Sequence, residues 1–285
     1  MAAEVVEYLQ PADGKTIVDC TLGGGGHTAA LLRNFQPQTS NLKIIGFDQD
    51  AEAIAAAHAA LSGYQDIEYI QDNFANLAEH IKKPVDGFLF DLGVSSYQLD
   101  EPGRGFSIRE DGPLDMRMDR RQKLTAAEIV NTRPVEELTR IIQEYGEERF
   151  AGRIARAIER NRGTRYLVPG TTFQLKELIE RAIPTWKKRE SVTRVFQALR
   201  LAVNGELASL QKALTDAVKL LKPGGRIVVL SYHSLEDRLV KQTFRALGKD
   251  GILKVMTKKP VTAGEAEIVM NPRARGAKLR AAERS

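Results

Sequence analysis

The sequence has one cysteine, Cys20, in 285 residues, so no internal disulfide can form and a reducing compartment is implied. Its four histidines lie scattered. With that lone thiol they offer no zinc-ligand spacing, and no metal is expected. Nowhere is there an apolar run near the roughly 20 residues that cross a bilayer. The opening Met-Ala-Ala-Glu-Val-Val-Glu-Tyr lacks the basic and apolar stretches of a secretory signal. A cytoplasmic protein without membrane contacts is the expectation. No internal repeat is visible, which excludes a solenoid.

What is present is the composition of a folded globular protein, with 42% apolar and 28% charged residues. The length suits one large domain, or one core with an insertion. A net charge of +5 leans toward a polyanionic partner without establishing one.

Along the first third of the chain, buried-strand patterns alternate with helical ones. Strands are expected at Thr16–Cys20, Lys43–Asp48, Ile67–Gln71 and Val85–Leu92, with helices at His27–Asn34, Ala51–Leu61 and Phe74–Ile81. Such alternation implies right-handed crossovers and a mostly parallel sheet covered on both faces. From Gln98 to Val203 the chain turns polar and helical, with helices expected near Ala126–Asn131, Val135–Tyr145, Glu147–Asn161, Phe173–Ala182 and Ser191–Asn204. The first pattern then resumes: helix Glu206–Leu221, a Pro223-Gly-Gly turn, strand Arg226–Ser231, helix Leu235–Leu247, and short strands at Ile252–Met256 and Ala277–Ala282. The reading is a discontinuous sheet domain, residues 1–97 and 204–285, carrying a helical insertion at 98–203.

Asp19-Cys-Thr-Leu-Gly23-Gly-Gly25-Gly-His27 follows the first strand and opens a helix. Glycines let a ligand approach the backbone, and the helix start offers unpaired N–H groups. A dinucleotide pattern can be drawn as Gly24-x-Gly26-x-x-Ala29, so NAD stays open on the glycines alone. A P-loop is excluded, since no Gly-Lys-Ser/Thr follows. The placement of Asp19 ahead of Gly23 and Gly25 has the Asp-x-x-x-Gly-x-Gly form of methyltransferases, where the acid lies near the methionyl end of S-adenosylmethionine. Asp48 ends the second strand about 20 residues on, where a βαβ unit offers a carboxylate to ribose hydroxyls. Asp50 reads as a helix N-cap. Phe74, after the third strand, suits either an adenine cover or the core. The fold class is therefore expected to be α/β, a class I (Rossmann-like) S-adenosylmethionine-dependent methyltransferase with a mostly parallel seven-stranded sheet and an inserted helical domain.

Asp91 ends the fourth strand, at the edge where open α/β sheets hold ligands. Around it the chain resembles a known family. The strings Val18–His27, Asp91-Leu-Gly-Val-Ser-Ser-Tyr-Gln-Leu-Asp100, Arg104-Gly-Phe-Ser107 and Asp111–Asp119 are similar to the bacterial 16S ribosomal RNA (cytosine-N4)-methyltransferases, as are Tyr145–Ala151, Ser231–Arg238 and Asn271–Arg275. The resemblance implies cofactor contacts at Gly25, Gly26, His27, Asp48, Phe74, Asp91 and Gln98, and as substrate a decoding-site cytidine of 16S rRNA within the small ribosomal subunit. It also implies that the insertion helps to bind RNA. Members of that family carry a His-x-x-Val-Leu-Leu segment ahead of the counterpart of Glu4–Leu9. Here Glu4 stands almost at the start, so the expectation is a truncated or misassigned start, or loss of that segment's contacts.

The exocyclic amine of cytosine is conjugated with its ring and a poor nucleophile, so transfer needs in-line alignment and acceptors for the amine hydrogens. Asp91 and Ser95 are expected in that role, with Tyr97 as a base-stacking candidate. The chain lacks the Pro-Pro that many amine methyltransferases place after the acid. His233 suits either substrate contact or loop order. Asp115 and Asp119 suit either the cytidine pocket or pairing with Arg117 and Arg120. Arg149, Arg153, Arg156 and Arg160 recur at helical spacing, and with Lys187-Lys-Arg189 and the C-terminal Arg273, Arg275, Lys278, Arg280 and Arg284 they suit phosphates. Other readings stay open at this point: another nucleic-acid amine methyltransferase, a nucleotide-binding oxidoreductase, or a non-catalytic ribosome-assembly factor. A monomer and a homodimer both remain possible.

Overall fold

The computed structural model describes residues 1–33, 41–162 and 170–285; of the expected helix His27–Asn34, Asn34 lies outside them. Along the chain come α1 (Ala2–Leu9), β1 (Thr16–Asp19), α2 (Gly26–Leu32), β2 (Lys43–Asp48), α3 (Ala51–Ala60) and β3 (Ile67–Gln71). A 3-10 turn at Phe74–Asn76 leads into α4 (Leu77–His80), and β4 (Val85–Asp91) follows. Next are α5 (Ser96–Asp100), α6 (Ala126–Thr132), α7 (Val135–Gly146), α8 (Ala151–Asn161), α9 (Thr172–Ala182) and α10 (Lys188–Asn204). The chain ends through α11 (Glu206–Leu220), β5 (Leu221–Ser231), α12 (Ser234–Lys249), β6 (Leu253–Val255), β7 (Val261–Thr262), α13 (Glu265–Met270) and β8 (Lys278–Arg284). It divides into two compact units, Met1–Gly93 with Leu207–Ser285, and Val94–Glu206.

The first unit is built on one eight-stranded sheet in the order β3-β2-β1-β4-β5-β8-β6, one strand more than expected because the two-residue β7 also pairs with β8. Strands β3 to β5 in that order pair in parallel, while β8 runs antiparallel to β5, β6 and β7. In β4 the run Gly87–Phe90 is buried on both faces, which explains its continuous apolar reading. One face packs Val18, Phe47, Phe88 and Phe90 against Leu210, Leu214 and Phe244. The other packs Ile17, Ile44 and Leu89 against Leu31, Val5 and Leu9. Helix α1, unread in the sequence, supplies the last two. Gly87 permits this approach, since a Cβ there would stand 3.1 Å from the Leu9 side chain. The Pro223-Gly-Gly turn became an irregular start of β5, with a register shift against β4 between Val85 and Gly87.

The second unit has its own core, in which Leu138, Ile142, Ile154, Ile158, Leu175, Ile179, Val195 and Leu199 interlock. Arg104 lies within it, 1% exposed, and donates to the carbonyls of Arg117 (3.1 Å) and Met118 (3.2 Å). Asn204 completes the stitching, accepting from Met118 N–H and donating to the Met116 carbonyl, both at 2.8 Å. These bonds hold Met116 in the left-handed region, φ +62°. A buried side chain at such an angle persists only where its surroundings over-determine it.

One expected element is corrected. The helix placed at Glu147–Asn161 begins only at Ala151, because Glu147 takes φ +48° and ends α7. The Glu148 carboxylate then accepts from Phe150 N–H at 2.9 Å. Arg149 thus sits in the turn ahead of α8, and the exposed helical face carries Arg153, Arg156 and Arg160. Among the described residues no helix is long and apolar enough to cross a membrane.

Removing the Arg104 guanidinium strands the buried Met118 carbonyl and the part-buried Arg117 carbonyl and opens a cavity. Arg104→Ala is expected to lower stability by about 3 kcal/mol. Urea denaturation of the full chain measures this, and a change within about 0.5 kcal/mol would mean the buried bonds do not hold the loop.

Candidate active site

The ends of β1, β2 and β4 bring three carboxylates to one edge of the sheet. Asp19 is buried, and accepts from Thr28 Oγ1 at 2.8 Å and Thr21 N–H at 3.2 Å. It therefore braces the turn from β1 into α2. Burial, against those hydrogen bonds, leaves its carboxyl above the ordinary value. Cys20, next along, is also buried, and burial with the nearby Asp19 charge raises its thiol well above the usual range; it stays a packing residue.

In the glycine turn, Gly23 (φ +51°) and Gly25 (φ +81°) hold left-handed angles. A Cβ at Gly25 would meet Leu61 at 2.9 Å, whereas Gly24 and Gly26 face open space. The turn thus needs glycine for its path at some positions and leaves backbone uncovered at others. Asp48 reaches across, accepting from Gly23 N–H and Asp50 N–H, each at 2.9 Å. Burial pushes its carboxyl up to about 6, against those two hydrogen bonds. Asp50 caps α3 by accepting from Glu52 N–H, as its position suggested.

Asp91 is held from both sides. Tyr232 donates its hydroxyl to Oδ1 at 2.8 Å, and His27 Nε2 stands 3.2 Å from Oδ2. The Asp91 N–H in turn donates to Thr21 Oγ1 at 2.6 Å. Burial disfavours the His27 cation, but the hydrogen bond and charge of Asp91 outweigh it and hold the imidazole above its ordinary value. Burial and the Asp91 charge raise the Tyr232 phenol far above the usual range, so it remains a neutral donor. Tyr232 and Thr21 were not read as site residues. The signal available was Ser231-Tyr-His-Ser at the end of β5, from which His233 was singled out instead.

His233 is the N-cap of α12. Its Nδ1 accepts from Glu236 N–H at 3.4 Å, while Glu236 Oε2 accepts from the N–H groups of Tyr232 (2.8 Å) and His233 (3.3 Å). That capping box fixes the Tyr232 backbone, so His233 orders the loop. Phe74 is partly buried and meets Phe90 edge to face, with centroids 5.7 Å apart. Asp72 beside it is held below the ordinary carboxylate range; partial burial opposes this, and bonds from His80, Asn76 and Asn73 N–H outweigh it.

The remaining candidates belong to the second unit. Ser95 and Gln98 form a capping box on α5, Ser95 Oγ accepting from Gln98 N–H (3.2 Å) and Gln98 Oε1 from Ser95 N–H (3.1 Å). Tyr97 is 52% exposed. Asp115 binds Arg117 through two bonds of 2.7 and 2.8 Å. Partial burial works against its charge, yet Arg117 holds the carboxyl below its ordinary value. Asp119 likewise pairs with Arg121. Arg149, Arg153 and Arg156 are exposed.

The first unit suits S-adenosylmethionine. Uncovered backbone lies at Gly24 and Gly26, carboxylates stand at the ends of β2 and β4, and His27 Nδ1 is buried without a partner among the described residues. Carboxylates accept hydroxyl and ammonium hydrogens, and backbone N–H groups bind a carboxylate. No group of acids, histidines and cysteines able to hold a metal occurs among the described residues.

A parallel sheet ordered β3-β2-β1-β4-β5, closed by the antiparallel β8, with an acid and glycine turn after β1 and acids ending β2 and β4, defines a class I S-adenosylmethionine-dependent methyltransferase. Within that class the chain belongs to the MraW methylase family, which matches residues 1–285. Similar curated proteins include a ribosomal RNA small subunit methyltransferase H of Geotalea uraniireducens, 49% identical over 100% of this chain and 97% of that one. Proteins of the same name from Halothermothrix orenii (46%; 99% and 96%) and Carboxydothermus hydrogenoformans (46%; 99% and 95%) are also similar. Among solved structures, an rRNA methylase from Streptococcus thermophilus aligns over 99% of this chain and 93% of its own, with 14% identity and a TM-score of 0.46.

Asp48 makes a testable contribution to stability. Its folded value, about 6, lies above the ordinary 3.8, so the stability it lends is present at low pH and lost as pH rises through about 6. Relative to Asp48→Asn, the ligand-free protein should lose melting temperature between about pH 4 and 7. Calorimetry across that range checks this; parallel curves for the two proteins count against it.

Proposed function

We propose that this chain transfers a methyl group from S-adenosylmethionine to the N4 amine of a decoding-site cytidine in 16S rRNA of the small ribosomal subunit, in the cytoplasm. The observation that carries the reading is the Asp91 carboxylate held between Tyr232 and His27 at the end of β4. The name shared by the similar proteins, ribosomal RNA small subunit methyltransferase, supports the substrate.

When bound, S-adenosylmethionine would supply a methyl group made electrophilic by its sulfonium, the methyl–sulfur bond breaking to leave a neutral thioether as the nitrogen–carbon bond forms. Asp19 keeps the glycine turn in place through Thr28, with Gly23, Gly25, Gly26, His27, Phe74 and Gln98 as further contacts, and Asp48 accepts from the ribose hydroxyls. Asp91 does the work on the acceptor. A carboxylate has about four lone-pair directions. Tyr232 and His27 occupy two and fix the plane of the group, so another can accept an N4 hydrogen. That bond pulls density onto nitrogen and orients its lone pair for in-line attack. The proton leaves after the methyl arrives, and Asp91 receives it. Ser95 is the second proposed acceptor, its hydroxyl hydrogen and second lone pair being unused by the capping box. Tyr97, exposed, is proposed to stack on the base, with Asp115 and His233 bordering it. Residues 98–203 are proposed to bind RNA, with Arg153 and Arg156 on phosphates and Arg149 beside them.

Two outcomes test this reading. At saturating S-adenosylmethionine, Asp91→Asn should lower methyl incorporation into unmethylated small subunits by about 100-fold or more; Asp91 is also a proposed cofactor contact, so calorimetry should find weaker cofactor binding. Nucleoside mass spectrometry should find N4-methylcytidine; undiminished turnover removes Asp91 from the reaction, and a methyl on another atom removes the substrate assignment. RNA affinity should fall steeply with salt, and Arg153→Gln with Arg156→Gln should flatten the log–log slope by about 0.7 per lost contact. An unchanged slope would take those arginines off the phosphates.

A further inference from the structure

Trp186 is the chain's one tryptophan, and it is 75% exposed. It lies in the 3-10 turn Thr185–Lys187, between Pro184 and the start of α10. An indole carries one of the largest apolar surfaces of any side chain, and folding normally hides most of it. Here the chain gives up that burial. A turn before a helix could hold almost any residue, so local structure does not account for a tryptophan in water.

Its neighbours say what it suits. Lys187, Lys188 and Arg189 follow directly, with Arg189 exposed. Glu190 is the carboxylate among them, bound by Lys187 at 2.7 Å and Arg194 at 2.5 Å. Those two cations, with Arg149 acting from farther off, hold it below the ordinary carboxylate range. Glu148 also faces Arg194, at 3.8 Å, but in the run Lys187–Glu190 three bases stand against one acid, so the surface around the indole carries surplus positive charge. A lipid surface would favour further apolar side chains beside the ring, and this run has charged ones.

An aromatic plane left free beside surplus cations is the arrangement that binds single-stranded nucleic acid, base on ring and phosphate on cation. We propose that Trp186 is a stacking platform for an unpaired base of the RNA substrate, with Lys187, Lys188 and Arg189 holding the adjoining phosphates. This gives the second unit a contact with a further base, besides the target cytidine proposed for Tyr97 and the phosphates proposed for α8, and it rests on the RNA-methyltransferase reading above. Stacking tolerates any base, so the platform would grip an unpaired strand rather than read its sequence.

Because Trp186 is the single indole, its emission reports on this position alone. The probe is a short oligoadenylate carrying a fluorescent label, whose anisotropy measures binding independently. Saturating RNA should quench the tryptophan emission. Trp186→Ala should weaken binding about tenfold or more, and Trp186→Phe should restore much of it, while S-adenosylmethionine affinity and melting temperature stay unchanged. The proposal is overturned if the probe binds without changing the emission, or if Trp186→Ala binds it as well as the parent. It is overturned too if emission shifts with protein concentration in the absence of RNA and Trp186→Ala abolishes self-association in sedimentation, since the indole then meets a second copy of the chain. Activity separates this from the reading it rests on. Normal methylation of small subunits with an unresponsive tryptophan refutes the platform alone, whereas no RNA binding and no methylation by the parent protein refutes both.

Discussion

The geometry of the sheet edge depends on carboxylates of like charge taken out of water together. Three strands deliver Asp19, Asp48 and Asp91 there; burial disfavours the charges of Asp19 and Asp48 most, and Asp91 adds to this at Asp19 and Asp19 at Asp48. The fold meets this cost with hydrogen bonds. Thr28 and Thr21 answer Asp19, two backbone N–H groups answer Asp48, and Tyr232 with His27 answer Asp91. The same bonds that make the charges tolerable fix the turn between β1 and α2 and the plane of the Asp91 carboxylate. An arrangement that is costly when empty suits a ligand bearing positive charge.

Much of this was legible in the sequence, for identifiable reasons. Strands such as Lys43–Asp48 and Val85–Asp91 are buried on both faces, so their apolar runs are continuous and bounded by turn residues. The acids ending them stand at the carboxyl edge of the sheet, where open α/β sheets hold ligands. Asp50 was readable as a cap because its type and position before an alanine-rich helix leave few other uses. The division near Gly93 and Glu206 follows a change in pattern, from alternation of strand and helix to helices alone.

The misses have physical causes. Helix α1 is short, and its Leu9 packs where Gly87, far along the chain, leaves room. The start of α8 shifted because Glu147 adopts a left-handed angle, a conformation uncommon for glutamate and set by the chain around it. Tyr232 escaped notice because its role depends on a partner 141 positions earlier. His233, for which the sequence leaves substrate contact and loop order open, caps α12 through its ring. In the second unit, the buried Arg104 reads as one more basic residue in a basic chain; only the fold shows that it ties down the Met116 segment.

The position of β8 bears on how the protein is made. This strand is the last along the chain, yet it sits between β5 and β6 and pairs with both. Until it emerges from the ribosome, β5 presents an open edge and β6 has no partner. The helical unit, formed from one continuous stretch, has all its residues earlier and can fold while the sheet is still waiting. Completion of the sheet thus waits for β8, after all the other strands have been made. The order of assembly is written into the strand order, with the helical unit maturing first and the cofactor-binding sheet closing last.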